Sequence, residues 1–512
     1  TDVAHIALNV EPEPTLVDEK GIAAETLSFV GVPWGVEHIG ADQVWSEFGY
    51  TGEGVVVANI DSGVDYTHPG LLHQYRGYDP ITGQVNHDYN WYDSNPISPC
   101  PNYPCDSAVG GHGIGTMGIM VGHEDNGRIY GDVGYSGQFI NYTGTVTTGV
   151  APGAAWIATK YVEELDSADW LVAPCPIGVR PDSFNPDPRC DPDKRPHLVN
   201  FSYEGGTIVA NRLRAAGILP VLSAGNDGYY PDNSTTLGDE GFCTLTTGAA
   251  EPSSFASGAI RRIDDEICVN STTCTWSSRG PGWIEIDSSG NVTNGPEVET
   301  NEIKPDVVAP GGWILSTALY ESTVDCATPG AADCDGYGNW AGTSFAAPHV
   351  AGAAAVLLDA LWSSDQGDPT TYGETDISKL ECLLTSTAID MVDSGGNPRG
   401  GWPGPDYAGG YGRIDVYEAA QAVADRDFPL WLKFLGATPS NAASMSGTVF
   451  PGQTSIVEIE ISAICPTTGA YQAQLVINSN TPEQNPIIVP VNLTVQSEPL
   501  PTCPYEPPTG WQ

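Results

Sequence analysis

The chain has 512 residues, of which 64 are acidic and 19 are basic, so its formal charge is −45 at neutral pH. This length predicts two or three domains, or one large α/β unit with an accessory domain. Such an acidic surface repels nucleic acids and anionic membranes, and neither is expected as a partner. The charge fits solubility in a salty or acidic extracellular medium, or binding of cationic peptides, and we favour the first explanation.

Twelve cysteines occur without the paired Cys-x-x-Cys spacing of zinc sites, which predicts disulfides formed in an oxidising compartment. Four pairs lie close together in loop-like sequence: Cys100 with Cys105, Cys175 with Cys190, Cys268 with Cys274, and Cys326 with Cys334. Cys465 is expected to pair with Cys503. The partners of Cys243 and Cys382 stay open.

Export is the expected fate of the chain. The sequence contains no apolar run of about 18 residues, so no membrane span is predicted. The chain opens on Thr1 without a signal-peptide pattern, and we therefore expect a secreted monomer from which the signal and pro-segment have been removed.

Residues 1–35 alternate short apolar patches with Pro, Glu and Gly and predict an extended N-terminal lead-in. Helix-like sequence follows from Gly35 to Trp45. Val55–Ile60 is then almost entirely apolar, which predicts a strand buried on both faces of a parallel sheet. Asp61 ends this strand, at a position where functional groups collect in open parallel sheets. A turn-forming role is the alternative for this aspartate.

The polar, aromatic and proline-rich stretch Tyr75–Asp106 predicts a surface loop. A helix of small residues, 110–122, follows and allows close packing against a neighbour. His112 opens this helix. Taken alone, His112 is more often a helix cap or a buried neutral imidazole than a catalytic group.

Strand-like and helix-like segments alternate through the middle of the chain. Strands are predicted within 149–162, 197–203, 218–226 and 304–311, and helices within 212–217, 380–387 and 416–424. This alternation predicts βαβ units and an α/β fold with a doubly wound, mostly parallel sheet.

The most informative stretch is Gly342–Gly352, which runs into an apolar helical segment. It delivers Ser344 to the first turn of a long helix, where unpaired N–H groups and the helix dipole favour negative charge. Pro348 agrees with a position near a helix start. An ordinary N-cap serine is the alternative.

Beyond Arg426 the sequence shows two-residue alternation and β-branched runs between Pro, Gly and Asn turns, which predicts a small β-sandwich. The predicted domains are therefore an α/β domain at 36–426, a β-sandwich at 427–498 and a proline-rich tail at 499–512.

Asp61, His112 and Ser344 fall, in this order, at strand ends or helix starts of one predicted domain. The stretches around them resemble the signature blocks of subtilisin-like serine proteases, over about residues 33–425. Within that family, the stretches at 68–78 and 90–93 and the insertion before Asn200 are similar to bacillopeptidase F-like members, which are secreted bacterial endopeptidases.

The resemblance implies a serine endopeptidase with Ser344 as nucleophile and His112 as general base. Asp61 would orient the imidazole. The amide of Asn226 and the backbone N–H of Ser344 would form the oxyanion hole. The substrate-binding residues implied are Ser202, Tyr203, Glu204, Ser223, Ala224 and Gly225. No cofactor is expected for the chemistry, and polypeptides are the expected substrates.

The sequence also departs from the family pattern. The family's His-Gly-Thr-His block reads His112-Gly113-Ile114-Gly115 here, and a calcium-ligating aspartate is replaced by Gly70. Structural calcium is possible elsewhere, at a site that the sequence does not assign.

Glu204 stands where the family has glycine. It either points into the primary specificity pocket, favouring lysine or arginine before the scissile bond, or points to solvent.

Two other functions compete with an active endopeptidase. The altered histidine block and the appended domain would also fit a catalytically impaired scaffold that binds without cutting. An esterase using the same serine is the third possibility, because acyl transfer is common to both activities.

Overall fold

A computed structural model of the chain describes residues 3–8, 31–93, 95, 98–106, 111–132, 139–160, 164–181, 187–203, 205–226, 228, 244–261, 277–280, 285–286, 292–294, 303–319, 336–391, 405, 407–424, 432–434, 444–445, 459–461, 469–479 and 487–495. The chain divides into two compact units. One comprises Leu27–Tyr417 with Leu500–Gln512, and the other comprises Thr1–Thr26 with Glu418–Pro499.

The described helices are α1 (Trp34–His38), α2 (Ala41–Glu47), α3 (Pro69–Leu72), α4 (His112–Val121), α5 (Glu164–Val172), α6 (Thr207–Ala215), α7 (Thr343–Ser363), α8 (Glu374–Ser386) and α9 (Val416–Ala424). The described strands are β1 (Val3–Leu8), β2 (Val56–Asp61), β3 (Trp91–Tyr92), β4 (His123–Asp132), β5 (Phe139–Thr147), β6 (Ala155–Lys160), β7 (Leu198–Phe201), β8 (Leu219–Ser223), β9 (Phe255–Arg261), β10 (Glu285–Ile286), β11 (Val292–Asn294), β12 (Val307–Gly312), β13 (Ile314–Thr317), β14 (Tyr337–Trp340), β15 (Leu432–Phe434), β16 (Ser444–Met445), β17 (Ile459–Ile461), β18 (Gly469–Ser479) and β19 (Ile487–Val495).

A seven-stranded sheet in the order β12-β9-β8-β7-β2-β6-β3 forms the centre of the larger unit. All of its neighbouring strands pair in parallel, which confirms the predicted α/β fold. Because parallel strands end at the same edge, the residues that follow β2, β7 and β8 meet there. The sequence-predicted site residues at these three strand ends are therefore brought to one place.

Helices cover both faces of this sheet, as a parallel sheet requires. On one face, α5 and α6 bury Trp170 and Leu213 against sheet residues such as Ile60 and Phe201. On the other face, α4 packs on β2, and α7 packs on α4 and on five strands from β2 to β12. Helix α7 is buried along almost its whole length. The two helices that carry His112 and Ser344 thus share one face of the sheet.

The stretch Tyr75–Asp106 differs from the expected surface loop. Its strand β3 forms the edge of the central sheet beside β6. Tyr75 and Trp91 are each only 1% exposed. Aromatic side chains of this size stabilise the fold when they are buried, so part of this insertion belongs to the core.

The smaller unit contains a four-stranded antiparallel sheet in the order β16-β1-β18-β19, and a separate pair of β15 with β17. Strand β1 lies within the segment predicted as a lead-in, and it pairs with β18 from Val3 to Leu8. The N-terminal segment is therefore not a lead-in alone, because it supplies a strand to the C-terminal sheet. The sandwich packing and the tail 499–512 stay predictions.

Two of the predicted disulfides are confirmed, Cys100–Cys105 and Cys175–Cys190. Cys382 is also disulfide-bonded, to a partner outside the described residues. The other predicted pairs lie outside the described residues. Among the helices described, only α7 has the length and apolarity to cross a bilayer, and all of its apolar window is buried inside the fold.

Candidate active site

Asp61 and His112 form a hydrogen-bonded pair at the edge of the central sheet. Asp61 is the last residue of β2, and its Oδ1 lies 2.8 Å from His112 Nδ1. The same oxygen accepts from the backbone N–H of Ser62 at 2.7 Å. The Asp61 side chain is 1% exposed, whereas that of His112 is 28% exposed. The carboxylate is fixed inside the protein, and the imidazole that it holds faces the surface.

Three influences set the basicity of His112. Burial lowers the pKa of its imidazole, but the charge and hydrogen bond of Asp61 and the charge of Asp106 outweigh that effect, so the pKa is raised above its ordinary value of 6.5. The rings of Tyr203 and Phe345 lie 5.6 and 5.1 Å from the imidazole, measured between centroids. The His112 imidazole is thus flanked by two aromatic rings, and Asp61 and Asp106 stabilise its protonated form.

Ser344 is the second residue of α7, directly after the Gly342-Thr343 pair, and the φ of 143° at Gly342 favours glycine. The hydroxyl of Ser344 donates to the carbonyl of Ser202 at 3.2 Å. Both Ser344 and His112 are among the described residues, and no hydrogen bond joins them. A hydrogen bond between a nucleophile and its base is often long or absent before substrate binds, so this geometry does not exclude such a pair. The first turn of α7 nevertheless lies against His112, because Phe345 contacts its ring.

Pro348 is the sixth residue of α7, inside the helix rather than at its start. Its missing N–H leaves the carbonyl of Ser344, four residues earlier, without its helical donor. The hydroxyl of Ser202 donates to that carbonyl instead, at 2.9 Å. The prediction that Pro348 lies near the helix start was therefore wrong in detail. The proline is tolerated inside the helix because Ser202, at the end of β7, supplies the missing hydrogen bond.

Asn226 follows β8 and is held by the residue before the serine. Its Oδ1 accepts from both the backbone N–H and the hydroxyl of Thr343, each at 3.0 Å. Because the amide oxygen is used in this way, the amide nitrogen is the group left to donate to a ligand. The backbone N–H of Ser344 lies in the first turn of α7, where N–H groups have no helical partner. The amide nitrogen of Asn226 and the backbone N–H of Ser344 are thus two hydrogen-bond donors at the start of α7.

The predicted substrate-binding residues lie at the same edge. Ser202 contacts Ser344, and Tyr203 contacts His112. Ser223 ends β8, Ala224 is fully buried after it, and the backbone N–H of Gly225 donates to the Thr343 hydroxyl oxygen at 3.2 Å. Glu204 lies outside the described residues, so its orientation stays a prediction.

Sequence reasoning missed a buried polar chain beneath these residues. Thr116 donates to Asp61 Oδ2 at 3.2 Å and accepts from Asn59 at 2.8 Å. Asn200 then donates to Asn59 Oδ1 and to Ser202 Oγ, both at 3.0 Å. These hydrogen bonds connect the carboxylate of Asp61 to Ser202. An asparagine within each of two apolar strands was the available signal, because a buried amide needs partners.

The space beside Gly70 is too tight for the calcium-ligating aspartate of the family pattern. A Cβ atom there would lie 2.9 Å from the hydroxyl of Tyr337, which fills the space of the absent aspartate side chain. Tyr337 donates to Glu124 at 2.7 Å. Within the described part of the chain, no group of three or more His, Cys, Asp or Glu side chains could hold a metal ion.

The profile of the subtilase family matches residues 52–412. Bacillopeptidase F of Bacillus subtilis is 32% identical over 416 residues, which cover 77% of this chain and 22% of that protein. Subtilisin E of the same organism is 28% identical over 359 residues, which cover 69% of this chain and 67% of that protein. The minor extracellular protease Vpr of the same organism is 26% identical over 470 residues, which cover 75% of this chain and 53% of that protein. The chain thus spans about a fifth of bacillopeptidase F.

Proposed function

Because the chain belongs to the subtilase family of serine-type endopeptidases, we propose that it hydrolyses peptide bonds through Ser344, His112 and Asp61. The observation that carries this proposal is the 2.8 Å contact between His112 Nδ1 and the buried carboxylate of Asp61. That contact leaves His112 Nε2, the other ring nitrogen, as the acceptor for a proton. Phe345, which follows Ser344 in α7, lies 5.1 Å from the imidazole, measured between ring centroids.

In the proposed reaction, Ser344 Oγ attacks the carbonyl carbon of the scissile bond and its proton passes to His112 Nε2. A serine hydroxyl is almost un-ionised near neutral pH, so the transfer to a base is required. Collapse of the tetrahedral intermediate breaks the C–N bond, and His112 protonates the leaving amine. Water then hydrolyses the acyl-enzyme by the same steps with His112 as base.

The tetrahedral intermediate places negative charge on the former carbonyl oxygen. We assign its stabilisation to the amide nitrogen of Asn226 and the backbone N–H of Ser344. The two hydrogen bonds from Thr343 to the Asn226 oxygen support this assignment, because they fix the amide before substrate arrives. In subtilisin, removal of the corresponding side-chain amide lowers turnover by about 10²–10³, and a loss of the same order is expected here.

The substrates proposed are polypeptides, bound along the strand ends that carry Ser202–Tyr203 and Ser223–Gly225. Inward-pointing Glu204 would favour lysine or arginine before the scissile bond. We propose that the protein is secreted, in agreement with its disulfides and acidic composition, and that it is a monomer. The chemistry assigned to these residues uses no cofactor, and a structural calcium site stays unassigned.

A fluorophosphonate probe followed by casein digestion tests the proposal. We expect covalent labelling of Ser344 and cleavage of casein, and neither in Ser344→Ala. A folded protein that is not labelled would be a binding scaffold, whereas labelling without casein cleavage, but with hydrolysis of small esters, would identify an esterase. Either result would contradict the endopeptidase assignment.

A further inference from the structure

The first turn of α4, which carries His112, is capped by side chains from outside the helix. Its N-cap residue, Gly111, has no side chain that could accept a hydrogen bond from the first turn. Instead, Ser62 Oγ accepts from the backbone N–H of Gly113 at 2.9 Å, and Asp106 Oδ2 accepts from that of Ile114 at 3.0 Å. N–H groups in a first turn have no helical partner, and a carboxylate there is stabilised by the helix dipole. Asp106 thus fixes the backbone two residues beyond His112.

The loop that carries Asp106 is held against the residues following Asp61. The disulfide Cys100–Cys105 closes this loop directly before Asp106. The carbonyl oxygen of Cys105 is so near to Gly63 that a Cβ atom on Gly63 would lie 1.9 Å from it. Gly63 also has a φ of 120°, which other residues rarely adopt. Trp91 Nε1 also donates to the carbonyl of Cys100 at 3.3 Å.

We propose that Asp106 is a second positioning carboxylate for His112, held in place by the Cys100–Cys105 loop and acting on the imidazole through its charge and through the helix backbone. Asp61 fixes the ring directly, whereas Asp106 fixes the turn that bears the ring. The part of this inference that concerns catalysis rests on the proposed function. Asp106 also explains how a helix that follows a glycine N-cap can hold its first side chain in one orientation.

The charged and titratable groups around His112 are few among the described residues. Asp61 faces it from β2, Asp106 from the disulfide-closed loop and Tyr203 from the segment after β7. From α7 the contact is the apolar ring of Phe345. The charge of Asp106 adds to that of Asp61 in raising the pKa of His112. Removal of this charge alone would therefore lower the basicity of His112 while its hydrogen bond to Asp61 stays in place.

Three substitutions separate charge from capping. Asp106→Asn keeps an oxygen that can accept from Ile114 N–H but removes the charge, Asp106→Ala removes both, and Asp106→Glu keeps the charge. The matched control is Asp79→Asn, which removes one carboxylate from an exposed turn. The first readout is the titration of His112 by NMR in histidine-labelled Ser344→Ala protein, which does not depend on activity.

We expect the His112 titration to move to lower pH in Asp106→Asn and to stay unchanged in Asp79→Asn. In the active enzyme, kcat/KM of Asp106→Asn near pH 5 should rise about two- to fivefold relative to wild type, because more of the imidazole is neutral. Asp106→Ala should in addition lower kcat at alkaline pH by up to about tenfold, through loss of the cap. Asp106→Glu should titrate as wild type does.

An unchanged His112 titration in folded Asp106→Asn and Asp106→Ala would overturn the inference. If Asp106→Asn does not fold, folded Asp106→Ala decides: a His112 titration displaced to lower pH supports the inference, and one that matches Asp79→Asn and wild type contradicts it. Wild-type protein that hydrolyses no peptide, but shows the displaced titration in Asp106→Asn, would refute the proposed function and leave the positioning role intact.

Discussion

Ser202 donates its hydroxyl to the carbonyl of Ser344, at 2.9 Å, across the edge of the central sheet. That carbonyl lacks its helical donor because Pro348 has no N–H. In return, the hydroxyl of Ser344 donates to the carbonyl of Ser202 at 3.2 Å. The two serines are thus joined by reciprocal hydrogen bonds that tie the end of β7 to the start of α7.

This relationship predicts coupling between Ser202 and Pro348. Ser202→Ala should destabilise the fold by about 1–2 kcal/mol, because it leaves a buried carbonyl without a partner. Pro348→Ala restores an N–H that can donate to the same carbonyl. The double variant should therefore lose less free energy of unfolding than the sum of the two single variants. Denaturant unfolding in a Ser344→Ala background measures this, and strict additivity would contradict the account.

Thr116 is expected to hold the Asp61 carboxylate for catalysis. Thr116→Val keeps the shape but removes the hydroxyl that donates to Asp61 Oδ2 and accepts from Asn59. We expect kcat to fall about tenfold with little change in KM, since the loss concerns the transition state rather than substrate binding. Thr116→Ser, which keeps the hydroxyl, is the matched control. Equal kcat values for the two folded variants would show that the hydroxyl has no catalytic effect.

Stability should fall in mild acid because of buried neutral histidines. Burial lowers the pKa of His349 to about 4, from an ordinary value of 6.5. Between these values the unfolded chain binds more protons than the folded one, so the free energy of unfolding decreases as the pH falls through this window. His349 alone would contribute about 3 kcal/mol. Burial also lowers the pKa of His68 and His197 to about 4.

His349→Gln tests this linkage, because glutamine does not titrate. The free energy of unfolding of the Ser344→Ala protein should drop between about pH 6.5 and 4, and the drop should be smaller when His349→Gln is added. An equal drop in both proteins would mean that His349 is not the neutral buried group described. Unfolding by denaturant is measured at each pH, and the Ser344→Ala background keeps self-digestion out of the result.

The smaller unit is expected to tune stability, anchoring or substrate docking rather than chemistry. Truncation near Asp427 should spare hydrolysis of a short peptide, since Asp61, His112 and Ser344 all lie in the larger unit. Removal of residues 427–512 leaves β1 without its partners β16 and β18. A second variant that also lacks residues 1–26 is therefore the appropriate comparison. Loss of peptide hydrolysis by either folded variant would show that the removed residues, which include Leu500–Gln512 of the larger unit, contribute to catalysis.

The positions of the three proposed catalytic residues could be predicted from the sequence, because each of them has a strong local signal. Asp61 ends an apolar strand, His112 opens a helix of small residues and Ser344 follows a glycine turn before an apolar helix. Each of these patterns depends on neighbours along the chain. The roles of Ser202, Thr116 and Asp106 depend on contacts between segments distant in sequence, which local patterns do not encode. The same reason explains why the sequence predicts a lead-in at β1, since the partners of this strand lie more than 400 residues away.

We propose that Ser344 is the nucleophile of a peptide-bond hydrolase. The most direct test of this proposal is the steady-state hydrolysis of a peptide library by wild type and by Ser344→Ala, with folding of the variant verified by its unfolding transition. We expect turnover by the wild type and none above the uncatalysed background in Ser344→Ala. Turnover by the folded variant well above that background would contradict it.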